Sequence, residues 1–395
     1  MLTGIAVIMI SGLIMSGIMK KLGLPPLVGM IFAGIVLGPN ALGIINDDIM
    51  SISAELRQGA LVIILTRAGL SLDTDDLRKA GRPALLMCFL PAVTEIMGTA
   101  LLAPMIFDIS LTDALVLGSV LAAVSPAVVV PRMIRLIEEK YGTGKRIPQM
   151  ILAGASADDI FVIVLFSVFS SIAAGESRSI AADIMSVPLS VILGGAAGVL
   201  CGLGLKALFE RIHMRDTVKT AVVLSVSFLL LALQSAIENV VGFSALIAIT
   251  VIGITLRKKA PERAKRLSVK YNKLWAAAEV VLFVLVGAAV DITDAFTYGG
   301  GAVLLVVLAL AFRMAGVFFS VCGARLNGKE KLFCMLAYTP KATVQAAIGA
   351  VPLAMGLSCG SLTLTCAVLA ILITAPAGAF CIDHTYKKLL VCDNS

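Results

Sequence analysis

Thirteen apolar segments, each long enough to cross a lipid bilayer, fill almost the whole chain. A spanning helix needs roughly 20 apolar residues, and the charged or Gly/Pro-rich joints between the segments are short. Only 14% of the residues are charged, against about 25% in soluble domains. The sequence therefore predicts an all-α membrane protein without a sizeable soluble domain. The predicted spans are residues 2–19, 26–44, 55–73, 83–107, 111–134, 147–174, 184–209, 217–237, 240–256, 271–290, 298–322, 330–356 and 361–382.

Lysines and arginines concentrate in every second joint, whereas the other set of joints carries only Arg57 and Arg178. Loops rich in these residues stay in the cytoplasm, so we expect the N-terminus outside and the C-terminus inside. This orientation requires an odd number of spans, in agreement with thirteen. The same loops account for the net charge of +7, and no nucleic-acid partner is expected.

Seven ionisable side chains fall well inside the predicted spans, away from the span ends. Each costs about 2.5–3.5 kcal/mol at the bilayer centre, so they are expected to face one another or water. For Glu95 or Arg67 taken singly, a purely structural ion pair between helices is as good an interpretation as a functional role. The seven comprise four acids and three cationic side chains. One negative charge therefore remains for a proton or a metal cation to neutralise. The seven are Arg67, Glu95, Asp158, Asp159, Glu279, Arg313 and Lys341.

Asp158 and Asp159 are adjacent acids in the sixth span. Burial and like charge both disfavour the state in which the two carboxylates are ionised together, and carboxylate oxygens suit hard cations such as Na+. Competition between a proton and a cation for one carboxylate is enough to couple two fluxes. Because consecutive helical residues point about 100° apart, we expect one acid to face an ion cavity and the other a neighbouring helix.

Prolines interrupt the fifth and twelfth spans. Proline removes a backbone donor, and unwound backbone inside a membrane persists only where it is buried or lines a cavity. A simple kink is the alternative for either span alone. Spans 2–6 and 9–13 form two blocks with the interrupted helix fourth in each, which predicts inverted five-helix repeats around a binding site. The positions at the breaks are Ser125, Pro126 and Pro131 in one span and Pro340, Thr343 and Gln345 in the other.

Four segments carry a family pattern: residues 65–73 (LTRAGLSLD), 125–131 (SPAVVVP), 157–160 (ADDI) and 340–347 (PKATVQAA). Together they resemble the monovalent cation/proton antiporter superfamily, most closely its two-aspartate, NHA-type branch. The resemblance extends over nearly the whole chain. It implies the sodium/proton antiporter fold, in which two discontinuous helices cross within a six-helix core. It also implies a homodimer and an elevator-like movement of that core.

The resemblance also assigns domains and roles. Dimerisation-domain helices would occupy residues 1–82 and 217–290, core-domain helices 83–174 and 298–382, and a linker helix 184–212. Asp159 would be the principal carrier of ion and proton, Asp158 its assistant and Ser125 a contact at the crossing.

Two positions depart from the two-aspartate pattern. Arg313 stands where many such relatives have a lysine that pairs with the first aspartate, and an arginine does not readily deprotonate. Glu95 and Lys341 could join Arg313 in an ion-pair network, as the NHA-type branch suggests. Ser125-Pro126 stands where some relatives have Thr-Asp, which removes a charge. Both departures leave the stoichiometry of transport open.

The leading hypothesis is secondary active exchange of Na+ or Li+ for H+, with K+/H+ antiport as a close variant. A sodium-coupled symporter of an organic solute would need more polar side chains near the crossing than Thr343 and Gln345. A sensor or structural protein would need a soluble domain, which neither the termini nor the 257–273 loop provides. No enzymatic activity and no cofactor are expected. The expected partners are monovalent cations, protons, the lipid of a bacterial inner membrane and a second copy of the chain.

Overall fold

The computed structural model describes residues 2–72, 74–174, 180–237 and 243–393, with side chains described throughout except at 47, 74–80, 156, 180–188 and 295. Within these ranges the regular elements are helices, apart from one isolated bridge between Tyr141 and Cys392. The prediction of an all-α membrane protein is confirmed. The helices are α1 (Leu2–Lys21), α2 (Pro26–Leu37), α3 (Asp47–Ser51), α4 (Ser53–Ser71), α5 (Thr74–Met87), α6 (Leu90–Phe107), α7 (Leu111–Leu121), α8 (Pro126–Glu138), α9 (Ile147–Ala173), α10 (Ile180–Arg211), α11 (Asp216–Ile237), α12 (Ala245–Lys259), α13 (Pro261–Ala288), α14 (Ile292–Val321), α15 (Gly328–Ala337), α16 (Thr343–Ile348), α17 (Val351–Ala354) and α18 (Gly360–Leu389).

The predicted spans all contain helices. Among the described residues, nine helical segments are long and apolar enough to cross a membrane. The other four predicted spans contain the shorter or more charged helices α2, α4 and α12 and the series α15 to α17. Asp73 and Arg178, which were used in the sequence argument, lie outside the described residues.

Three predicted boundaries or interruptions are wrong. Helix α2 ends at Leu37 and not at residue 44, because Gly38 is extended before a proline, where the helical conformation is disfavoured. The 257–273 loop is largely helical, because α13 begins at Pro261, a residue type favoured in the first turn. Pro131 does not interrupt its span: α8 continues through it, since one proline removes one backbone bond and the rest of the helix remains bonded.

The first true break separates α7 from α8. Helix α7 ends at Leu121, and α8 begins at Pro126, whose missing N–H costs nothing at a helix start. Ser125 is extended (φ −91°, ψ 109°), as a residue before proline prefers. The four residues 122–125 are therefore unwound in the middle of the span.

The second break separates α15 from α16. Helix α15 ends at Ala337, and Pro340 lies in the unwound stretch before Thr343, the first residue of α16. Gln345 lies within α16, so the unwound stretch is shorter than the predicted interruption. The backbone N–H of Ser125 donates a 2.8 Å hydrogen bond to the carbonyl of Pro340. The two unwound stretches therefore cross in direct contact.

The chain divides into two compact units. Unit one comprises Met1–Ala54, Thr74–Val162 and Val280–Ser395, and unit two comprises Glu55–Asp73 and Ile163–Glu279. Unit one contains the crossing and a buried apolar cluster that includes Val124, Met150 and Phe333. The predicted assignment of dimerisation, linker and core domains stays a prediction.

Unit two is packed through glycines. A Cβ at Gly194 or Gly198 of α10 would collide with the backbone of α12, and one at Gly69 of α4 would do the same. These small residues let the helices approach closely, as is common in membranes. Gly194 and Gly198 therefore pack within the subunit.

Candidate functional site

Helix α9 carries both acids of the predicted ion site. Asp158 is fully buried and Asp159 is 6% exposed. The Oδ2 atom of Asp158 accepts hydrogen bonds of 2.8 Å from the backbone N–H of Val124 and 2.8 Å from Nη2 of Arg313. In the described part of the chain, its Oδ1 atom has no hydrogen-bond partner. Asp158 is thus fixed on one edge of its carboxylate by the unwound stretch of the first broken helix and by α14.

Arg313 of α14 is buried with no exposed surface. Its Nε donates to the carbonyl of Tyr338 at 2.7 Å, and its Nη1 donates both to Oε2 of Glu95 at 3.0 Å and to the carbonyl of Ala122. A guanidinium presents five N–H donors in a fixed fork. Arg313 therefore links α6, α9 and both unwound stretches at once.

Lys341 lies in the second unwound stretch and is also buried. Its Nζ pairs with Oε1 of Glu95 at 2.6 Å and donates to the carbonyl of Leu121 at 2.5 Å. Its backbone N–H is bonded to the hydroxyl of Thr374 on α18. The structure thus brings Glu95, Arg313, Lys341 and Asp158 into one buried cluster.

Polar side chains complete the surroundings of the crossing. Gln345 donates from Nε2 to the carbonyls of Leu121 at 3.2 Å and Ala123 at 2.9 Å. The hydroxyls of Ser125 and Thr343 are buried and, among the described residues, without hydrogen-bond partners. Oxygen atoms, the ligands that hard cations prefer, are therefore plentiful here.

Tyr338 is a residue of the cluster that the sequence argument missed. Its ring lies 5.3 Å from the guanidinium carbon of Arg313, and its hydroxyl donates to the carbonyl of Met87 at 3.2 Å. A Cβ at Gly154 would collide with this hydroxyl. The missed signal was its position two residues before Pro340, where a helix end leaves carbonyls in need of donors.

Arg67 and Glu279 lie elsewhere. Both belong to unit two, and Glu279 is within electrostatic range of Arg67. The cluster around the crossing belongs to unit one and contains two acids, Asp158 and Glu95, with two bases, Arg313 and Lys341. Asp159 follows Asp158 on α9.

Comparisons with known proteins agree with this geometry. The sequence profile of the family described as "Sodium/hydrogen exchanger, transmembrane" matches residues 5–385. Sodium/hydrogen exchanger 9B2 of Mus musculus is 35% identical over 383 residues, which cover 93% of this chain and 69% of that protein. Sodium/hydrogen exchanger 9B1 of Homo sapiens is 33% identical over 385 residues, 93% of this chain and 73% of that protein.

The fold matches a solved antiporter structure. The sodium proton antiporter MjNhaP1 from Methanocaldococcus jannaschii superimposes with a TM-score of 0.82 at 20% identity, covering 98% of this chain and 97% of the other. At that identity the likeness concerns the fold, and it confirms the predicted antiporter architecture with crossing discontinuous helices. The profile match and the identity to the 9B exchangers confirm the predicted superfamily, and the chain belongs to the sodium/hydrogen exchanger family.

Proposed function

We propose that this protein is a secondary active transporter that exchanges Na+ or Li+ for H+ across a membrane. The observation that carries the proposal is the buried pair of acids, Asp158 and Asp159, beside the crossing of two broken helices. The sodium/hydrogen exchangers of mouse and human and the sodium proton antiporter of M. jannaschii support it.

The two acids have different tasks. Asp158 is bonded through Oδ2 to Val124 and Arg313, and a guanidinium keeps its charge under all physiological conditions. Asp158 is therefore a fixed acid. Asp159 projects about 100° away around the helix and is the acid that takes up either the cation or the proton.

The charges of the acids and bases around the crossing favour one bound ion at a time. The two acids and two bases that pair in the cluster balance one another when all four are ionised, and an ionised Asp159 beside Asp158 makes the net charge one negative. One monovalent cation or one proton brings it to neutrality. A proton and a cation each neutralise the same carboxylate, so the two ions compete for it.

Two buried oxygen atoms at the crossing are available to a small cation. Oδ1 of Asp158 and the hydroxyl of Ser125 are buried and, in the described residues, accept no hydrogen bond. A hard cation takes such oxygen ligands together with water. Asp159, Asp158 and Ser125 are thus the proposed ion-binding residues.

The polar donors at the crossing argue against an organic solute. Arg313, Lys341 and Gln345 are all bonded to backbone carbonyls of residues 121–123 at the first break, and the first two are also bonded to acids. A solute would have to displace these bonds. An ion that needs only oxygen ligands does not.

Transport requires the site to face the two sides of the membrane in turn. We propose an elevator-type movement of a core containing residues 83–174 and 298–382 against a dimerisation domain of residues 1–82 and 217–290, joined by a linker in 184–212, within a homodimer. The basic joints favour an external N-terminus and a cytoplasmic C-terminus. In a bacterium, the location is the inner membrane.

Everted membrane vesicles with a fluorescent pH probe test the exchange. After the vesicles are energised, addition of Na+ or Li+ is expected to dissipate the pH gradient, and K+ serves as the comparison cation. If none of the three cations produces a response near neutral pH, in vesicles that contain folded protein, the proposal is refuted.

A further inference from the structure

The carbonyls of residues 121–123, at the end of α7 and the start of the first unwound stretch, are already engaged. Leu121 O accepts from Nζ of Lys341 at 2.5 Å and from Nε2 of Gln345 at 3.2 Å. Ala122 O accepts from Arg313. Ala123 O accepts from Nε2 of Gln345 at 2.9 Å. In the described chain, these three consecutive carbonyls lack backbone donors from their own helix, because the helix is broken here. They accept hydrogen bonds from side chains of other elements instead.

The orientation of the Gln345 amide follows from its partners. Both neighbours of Nε2 are carbonyl oxygens, which only accept hydrogen bonds, so the NH2 group must face them. Gln345 is fully buried, and its Oε1 has no donor in the described part of the chain. Across that part, Gln345 is the one side-chain donor to Ala123 O. Its two N–H groups thus occupy the carbonyls of Leu121 and Ala123, the first and last of these three consecutive carbonyls, which we call the carbonyl row.

This closure determines which oxygens a cation can use. Rows of backbone carbonyls in membranes replace the hydration shell of large, weakly hydrated cations such as K+. At this crossing, a cation that approached the row would meet an ammonium, a guanidinium and an amide N–H. The remaining oxygens are those of carboxylates and hydroxyls, whose stronger field compensates the larger dehydration cost of small cations.

We propose that Gln345 is a specificity-determining residue: it occupies the carbonyls of Leu121 and Ala123, so that the site favours Na+ and Li+ over K+. The inference rests on the proposed cation/proton exchange and adds a cause for selectivity. Lys341 and Arg313 occupy the rest of the row, but each also neutralises an acid. Gln345 is the neutral member, and its replacement changes the carbonyl row without changing the charge.

The variant Gln345→Met tests the inference. Methionine keeps the unbranched shape of glutamine and lacks both N–H donors, so Ala123 O loses its side-chain partner. In proteoliposomes with an internal pH probe, the ratio of the KM for K+ to the KM for Na+ is expected to fall by about tenfold, the order set by one unmade buried hydrogen bond. Gln149→Met, the same change at a partly buried glutamine near the start of α9, is the matched control and is expected to leave the ratio unchanged.

Three outcomes overturn the inference. An unchanged ratio in Gln345→Met with Na+ exchange retained would do so and would leave the proposed function intact. If Gln345→Met does not fold, Gln345→Ala, which leaves room for water, replaces it. Gln345→Ala is also expected to lower the KM ratio, and an unchanged ratio in this variant likewise overturns the inference. A wild-type protein with equal KM values for K+ and Na+ contradicts the inference without any variant, whereas a wild-type protein that exchanges no cation contradicts the proposed function itself.

Discussion

Arg313 and Asp158 lie 2.8 Å apart, from Nη2 to Oδ2, and neither side chain has exposed surface. A buried ion pair of this kind is costly to break, because removal of one partner leaves the other charge unpaired. Arg313 also bonds Glu95, Tyr338 and Ala122. The contact therefore joins Asp158 to both broken helices.

Arg313→Lys tests the set of hydrogen bonds that the Arg313 guanidinium makes around this contact. A lysine ammonium keeps the charge but cannot reach the same set of acceptors. We expect the free energy of unfolding to fall by about 2–5 kcal/mol, measured by thermal or denaturant unfolding in detergent. Arg135→Lys is the matched control, because Arg135 pairs with Glu139 and Asp383 with 45% of its side chain exposed. Its effect is expected to stay within about 1 kcal/mol, and equal effects of the two changes would contradict the account.

Ser125→Ala tests the hydroxyl at the crossing. The backbone bond from Ser125 to Pro340 does not need the side chain, so the fold is expected to remain. Loss of one oxygen ligand is expected to raise the KM for Na+ by about 3- to 10-fold, measured as Na+-dependent proton flux. Ser170→Ala is the control, because Ser170 is also buried and, among the described residues, its hydroxyl lacks a partner. A wild-type KM in Ser125→Ala would remove this residue from the proposed site.

The spans and the two breaks were predictable because each depends on local sequence. Apolar length sets the spans, and Pro126 and Pro340 disfavour helix at the residue before them. Pro131 shows the limit of that signal. It lies inside α8, where the surrounding backbone bonds maintain the helix, so proline content alone does not identify which span is broken.

The bonds within the site could not be predicted from local sequence. Their partners are far apart in the chain: Arg313 and Ala122 are separated by 191 residues, and Gln345 and Ala123 by 222. The sequence indicates that an unwound carbonyl needs a donor, but it does not indicate which helix brings one. The contacts of Tyr338 and Gln345 follow only when α14, α15 and α16 are packed beside the first break.

Gly154→Ala tests the packing beneath the acids. A Cβ at this position would collide with the Tyr338 hydroxyl and lie 2.9 Å from the Met87 side chain. Overpacking of this kind costs about 1–3 kcal/mol, so we expect a lower Tm. Gly195→Ala, in α10, meets nothing within 4 Å and is expected to keep or raise the Tm, because alanine favours helix by up to about 1 kcal/mol. A Tm that is unchanged in Gly154→Ala would contradict the described contact.

The C-terminal segment, residues 390–393, bonds to the loop between α8 and α9. Gly142 N–H donates to Val391 O at 2.8 Å, and the Asp393 carboxylate accepts from Gly144 N–H at 2.6 Å and from the Thr143 hydroxyl at 2.9 Å. These bonds from Gly144 and Thr143 hold the pKa of the Asp393 carboxyl below its usual value. The stabilisation is therefore present above the usual aspartate pKa of about 3.9 and is lost as the pH falls below it, through the lowered pKa.

Hydrogen exchange of the Gly142 and Gly144 amides measures this contact. We expect Asp393→Asn to reduce their protection at neutral pH, and we expect wild type to approach the variant only in acid. Glu138→Gln, an acid at the end of α8 outside these bonds, is the control. Equal protection in wild type and Asp393→Asn at neutral pH would show that the carboxylate does not secure the loop.

The central claim is that Asp159 carries the exchanged ion and Asp158 supports it. The most direct measurement is proton flux driven by a Na+ gradient in proteoliposomes that contain equal amounts of wild type, Asp159→Asn or Asp158→Asn. We predict flux in wild type, none in Asp159→Asn, and a reduced but measurable flux in Asp158→Asn. Wild-type flux in folded Asp159→Asn would contradict the account.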